Sequence, residues 1–178
     1  MSTVHIHLFI NHAPFFGITF GLLLLIIAML KNLEDFKKLG LIIMVVSSLL
    51  TVPTYFSGEN SEESVEHLPG VSEGIMEEHE DMAKIALGLS SFLGILSLAS
   101  IFLKDKNQKI ALTSIIVLGL ITEGAIAKTA NLGGQIRHSE IRAENANNLS
   151  NEKEGKEDKK GEDKDEDESS EKEEHEGK

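Results

Sequence analysis

The chain is 178 residues long, carries a formal net charge of −12 and has neither cysteine nor tryptophan. The missing thiols exclude disulfides, thiolate metal sites and covalent haem attachment through a Cys-x-x-Cys-His sequence. A mean hydropathy near zero describes no part of the molecule, because a charged carboxyl-terminal run averages against an oily body.

A hydrocarbon core about 30 Å thick needs about 20 mostly apolar residues in a helix, and four stretches qualify, near 13–30, 39–56, 82–103 and 110–132. The first, APFFGITFGLLLLIIAML, holds no charge, and its Gly17 and Gly21 form a GxxxG pair of the kind that lets bilayer helices approach closely. Ahead of it the chain has no basic region and no small-residue cleavage site, so this segment is expected to be retained rather than removed as a signal peptide. If its helix continues back through Asn11, His5 and His12 share one stripe. If Pro14 instead marks the first helical turn, His5 and His7 sit on an irregular arm.

The second stretch contains Pro53, which frees a backbone carbonyl near Leu49, with Ser47, Ser48, Thr51 and Thr54 close by to satisfy it. The connection after it reads as a short amphipathic piece from Glu62 to Leu68, stopped by Pro69-Gly70, and then Ser72 as a helix N-cap. The third stretch spaces Ser90 and Gly94 as the first spaces its glycines. In the fourth, Glu123 and Lys128 interrupt the apolar run, and Gly133-Gly134 is expected to cap the helix before QIRHSEIR follows at the surface.

Short first and third connections predict an all-α, up-down-up-down four-helix bundle in a bilayer over residues 1–142. The two hairpins share length but no evident residue pattern. From residue 143 the chain holds 15 acidic residues against 7 lysines, no aromatic residue and one leucine. Such a tail cannot bury enough apolar surface to offset chain entropy, and residues 143–178 are expected to be disordered. The first and third connections carry Lys31, Lys37, Lys38, Lys104, Lys106 and Lys109, whereas the second holds nine acids and no Lys or Arg between Ser57 and Asp81. Cytoplasmic loops hold the lysines, so both termini are expected outside, in the inner membrane of a bacterium.

Six of the seven histidines, His5, His7, His12, His67, His79 and His138, then fall at the outer ends of the spans. His12 and His79 begin the first and third helices, diagonal in such a bundle, and are the expected axial ligands of a haem b. His138 is a substitute ligand, and Arg137 and Arg142 are partners for the propionates. The same rim, with His12, His67, His79, His138 and Glu63, is the alternative site for a zinc, copper or iron ion. Haem is preferred because no HxxxH or HExxH pair occurs, and Met76 and Gln135 stand where a ferritin-like Glu-x-x-His element needs glutamate. Glu123 is an ionisable group inside a span and hence a functional candidate, a proton or cation relay. Its plain structural reading is a bond to Lys84, Thr51 or Thr54.

The segments HLFINHAPFFGITFGLLL, PTYFSGE, VEHLPGVSEGIMEEHE and TANLGGQIRHSEIR together resemble a group of small, uncharacterised bacterial four-span membrane proteins. The resemblance covers roughly residues 4–142, and its motifs include His12, His67, His79, Arg137 and His138. It implies a four-span fold and a b-type haem role. The expected function is an electron-transfer or redox-sensing subunit, with a redox partner or a larger membrane complex, rather than a stand-alone enzyme. A divalent-metal accessory protein and a purely structural subunit are the alternatives. There is no phosphate loop, dinucleotide fingerprint or nucleic-acid patch.

Two outcomes are expected from these readings. A reporter fused after Arg142 is active on the periplasmic side, and cytoplasmic activity there reverses the orientation. Deleting residues 146–178 leaves insertion and thermal stability unchanged within error, and a large loss of folded protein shows that the tail docks.

Overall fold

A computed structural model describes residues 2–62, 64–138 and 140–142. The tail expected over 143–178 lies outside the described residues. Five helices follow in order: α1 (Thr3–Ile10), α2 (Ala13–Lys31), α3 (Glu34–Glu62), α4 (Glu73–Ile101) and α5 (Asp105–Arg137). No strand occurs among the described residues, and the fold is all-α. Four helical stretches are long and apolar enough to cross a membrane: Thr3–Lys31, which joins α1 and α2, then α3, α4 and α5 as far as Ile136. The bundle belongs to a unit ending at Arg137, and the residues from His138 onward form a second unit, described by itself.

Both readings of the amino terminus hold in part. The chain is helical from Thr3, with the Ser2 side chain accepting from the His5 amide, but it breaks at Asn11–His12 and restarts with Pro14 in the first turn of α2. Proline has no N–H and its ring crowds the carbonyl four residues back, here that of Ile10, which favours the break seen at Asn11–His12. Asn32 ends α2 in the left-handed region at φ 53°, a conformation asparagine tolerates. Helix α3 runs without interruption through Pro53 to Glu62. The amphipathic piece expected from Glu62 to Leu68 is instead a succession of turns, with bonds such as Leu68 N–H to the Val65 carbonyl at 3.0 Å.

Helix α2 packs on α3 and α5, and α4 packs on the same two, so the ring closes with α2 and α4 diagonal. Helix α1 rests on α3. The core is a layer of Ile18, Leu22 and Leu25 from α2, Leu41 and Met44 from α3, Leu93 from α4, and Leu112 and Ile115 from α5. Phe16, Phe20, Leu30, Leu49, Phe92, Ile95 and Leu120 point outward, the apolar exterior that lipid requires.

Small residues hold the helices together. A Cβ on Gly17 would lie 2.0 Å from Ser47 Oγ, and one on Gly94 would lie 2.6 Å from Ser48 Cβ. Thr51 and Ser90 share a hydrogen bond of 2.9 Å between α3 and α4. The spacings of Gly17 with Gly21 and of Ser90 with Gly94 thus mark the two faces that meet α3. Helix α5 does not stop at Gly133-Gly134 but runs through both to Arg137.

Replacing Gly17 by Leu is therefore expected to force α2 and α3 apart and to destabilise the bundle by about 1–3 kcal/mol, the usual cost of overpacking. Gly88 faces open space, and Gly88→Ala should leave the melting temperature in detergent unchanged or slightly raised. Equal melting of the Gly17→Leu variant and the parent chain contradicts the close approach.

Candidate functional site

Helix α4 buries Met76, Ala86, Ser90, Leu93, Ser97 and Ser100. Relative to these, His79 stands three residues after Met76 and seven before Ala86, on the same inward stripe. Its Nδ1 lies 2.8 Å from the backbone carbonyl of Thr129 on α5. A carbonyl only accepts, so Nδ1 carries the proton and Nε2 keeps its lone pair. One helical turn beyond Thr129 is Gly133, where a Cβ would come within 3.1 Å of His79 Cε1. This contact, rather than a helix cap, accounts for the glycine at 133.

The other half of the bundle repeats the arrangement. His7 of α1 places Nδ1 3.1 Å from the backbone carbonyl of Thr54 on α3 and 3.2 Å from Ser57 Oγ, whose own proton goes to that same carbonyl. One turn beyond Thr54 is Gly58, where a Cβ would lie 3.0 Å from His7 Cε1. Thr54-x3-Gly58 and Thr129-x3-Gly133 are thus one device used twice: a helical carbonyl orients an imidazole, and a glycine makes room for its edge. The hairpins do share a residue pattern, one too short to stand out in the sequence. His7 and His79 are both half-buried, and among the described residues neither Nε2 has a hydrogen-bond partner.

The remaining histidines lie elsewhere. His12 is exposed; its Nδ1 is bonded to the Asn11 side chain, and its ring stacks on Phe16 at a centroid distance of 6.3 Å. It is six residues from the fully buried Ile18, which at 100° per residue turns it about 120° off the inward stripe. His12 therefore occupies the flank of the bundle, with its ring against Asn11 and Phe16. His67 is exposed in the turn-rich connection and pairs with Glu66 at 3.1 Å. His5 is exposed and bonded to Ser2 Oγ at 2.7 Å.

In the second unit, His138 Nδ1 lies 2.7 Å from Glu140 Oε1. Hydrogen bonds from the Glu140 backbone amide and from His138 hold the Glu140 carboxyl below its ordinary value. The Arg142 amide reaches the His138 carbonyl at 3.4 Å. Glu63 and the side chain of Arg137 lie outside the described residues. Among the described residues, no three His, Asp or Glu side chains converge closely enough to hold a metal ion.

Glu123 sits inside the fourth span, half-buried. One carboxyl oxygen accepts from the hydroxyl of Thr19 on α2, and the other is buried without a partner among the described residues. The bonds anticipated to Lys84, Thr51 or Thr54 are not the ones formed. Lys84 pairs with Glu80 at 2.9 Å, Thr51 with Ser90, and Thr54 Oγ1 donates to the Leu50 carbonyl.

His7, one of the six outer-end histidines, is not singled out as a site residue by its own sequence neighbourhood. The signal that could have found it is the recurrence of Thr-x3-Gly in TYFSG and TANLG, 47 and 50 residues after His7 and His79. No protein-family model, curated protein or solved structure matches the chain.

Proposed function

We propose that the protein binds one haem b between His7 and His79 and serves as a membrane-integral electron carrier or redox sensor. The observation that carries this reading is the matched anchoring of the two imidazoles. A ligating histidine characteristically gives its second ring nitrogen to a carbonyl or carboxylate, which fixes the tautomer and raises the basicity of the ligand. Both rings have that bond and both have a free Nε2, at the same end of the bundle and on elements from opposite halves. The donor set fits the group: two imidazoles satisfy a six-coordinate haem, whereas a bare zinc or copper ion asks for three or four ligands.

Bound there, the haem supplies a one-electron couple. The chain's own residues do the rest. Thr54 and Thr129 hold the ring planes through backbone that cannot rotate away, and Gly58 and Gly133 leave the ring edges uncrowded. The apolar exterior of α2, α4 and α5 excludes bulk water from the bundle. Were His7 and His79 both to hold the iron, no position on it would be left for a substrate, which would favour electron transfer over catalysis. Arg137, whose backbone closes α5 one turn past Gly133, is assigned to a propionate by the fit of a guanidinium to a carboxylate. The resemblance to small bacterial four-span proteins, for which a b-type haem role is suspected, supports the same reading. With the loop lysines on the cytoplasmic side, the site faces the periplasm from the inner membrane, within reach of a soluble or membrane-bound redox partner.

Absorption spectra of the purified protein, oxidised and reduced, test this directly. The full chain is expected to show a low-spin b-type spectrum that is lost or converted in both His7→Ala and His79→Ala. It should persist in His5→Ala, His12→Ala and His67→Ala. Gly133→Val, which crowds the ring without removing it, should perturb the spectrum as well. A spectrum that survives both ligand substitutions, or that depends on His12 instead, overturns the assignment. Stoichiometric zinc, copper or iron without a Soret band replaces haem by a metal ion.

A further inference from the structure

The carboxyl of Glu123 has no part in holding either histidine, yet it is buried where a charge is hard to solvate. It lies between α2 and α5, with one oxygen bonded to Thr19 and the other enclosed and unpartnered. It stands six residues before Thr129, or about 9 Å along the helix from the carbonyl that orients His79. Few other charges compete for it. Helix α2 carries no ionisable residue but Lys31 at its far end. On α4 the ionisable groups lie between Glu73 and Lys84: Lys84 is paired with Glu80 and Asp81, and Glu78 faces Lys128 of α5 at 3.6 Å. None of these pairs includes Glu123, whose hydrogen bond goes to Thr19.

Resting on the haem reading above, we propose that Glu123 is the proton partner of the redox site, taking up one proton when the site gains an electron and releasing it on reoxidation. A charge added inside a lipid-surrounded bundle is screened weakly over this distance. Glu78 and Glu80 flank His79 in sequence but already face Lys128 and Lys84; Glu123 is the carboxyl inside the span, with one buried oxygen that has no partner among the described residues, and its protonation offsets that charge. The step balances. A one-electron carrier reduces ferric iron to ferrous iron, and one proton from water forms an O–H bond on the free oxygen of Glu123. The other oxygen keeps its bond to Thr19, and the net charge of the bundle is unchanged.

Potentiometric titration of the full chain in detergent, with mediator dyes as the electron carriers, tests the proposal across a range of pH. A tenfold change in proton activity should shift the midpoint potential of the parent protein by up to about 59 mV, the value for a one-electron couple linked to one proton. Glu123→Gln, nearly the same shape, should flatten this dependence while leaving the low-spin spectrum in place. Reduced-minus-oxidised infrared spectra should show a protonated carboxyl carbonyl band that disappears in Glu123→Gln and moves in Thr19→Val, which removes its hydrogen bond. A potential independent of pH in the parent chain, or an undiminished slope in Glu123→Gln, overturns the proposal while leaving the haem assignment intact. Absence of a Soret band overturns both.

Discussion

Helices in a bilayer gain nothing from hiding apolar surface from one another, since lipid is as apolar as their side chains. Close backbone approach through small residues is what draws them together. In this protein that approach runs through Gly17 against Ser47 and Gly94 against Ser48, both on α3. A third contact sets Gly119 of α5 against Leu22 of α2, where a Cβ would lie 2.8 Å from the leucine side chain. These contacts bring α3 against both α2 and α4 and close the ring with α5. The histidine end depends on that spacing, because both imidazoles are positioned by a backbone carbonyl of a neighbouring helix, His7 with Ser57 Oγ beside it.

That choice of partner has a chemical consequence. A helical carbonyl has a second lone pair, so Thr54 and Thr129 can accept from an imidazole and still take part in their helices. Its position is set by the whole helix, whereas a side-chain acceptor would have to be fixed by packing of its own. The result is a pair of ring planes with defined tautomers, held by two rigid rods. The polar groups deeper in the bundle are handled differently: Thr51 and Ser90 satisfy each other, while Ser48, Ser97 and Ser100 serve close packing and leave their hydroxyls unpaired.

Most of the architecture could be read before the structure, because length and hydropathy are properties of a segment alone. The four spans, the small-residue faces and the diagonal placement of the first and third spans all follow from spacing. The site was harder for a specific reason. His12 sits beside Pro14 and looks like the first residue of a span, but Pro14 restarts the helix and turns His12 onto the flank. His7, four residues into a short helix with no buried residue, shows no sequence feature of its own. It acquires a role only through Thr54, which no local pattern links to it. Gly133 misled in the same way: next to Gly134 it reads as a helix end, and its purpose is visible only once the His79 ring is laid across it. Glu123 was legible as an oddity, but its partner Thr19 was not, since the register between α2 and α5 cannot be read from either helix.

The duplicated anchor also bears on how such a chain is made. Each ring finds its carbonyl within its own pair of spans, His7 with Thr54 and His79 with Thr129, and neither anchor crosses from one pair to the other. During synthesis the first hairpin can enter the lipid and fix its imidazole before the second has left the ribosome, and the second can do the same on its own account. Only the meeting of two finished halves is left for the last step. An arrangement assembled in this manner needs no long search through sequence, and an isolated half already contains one oriented imidazole.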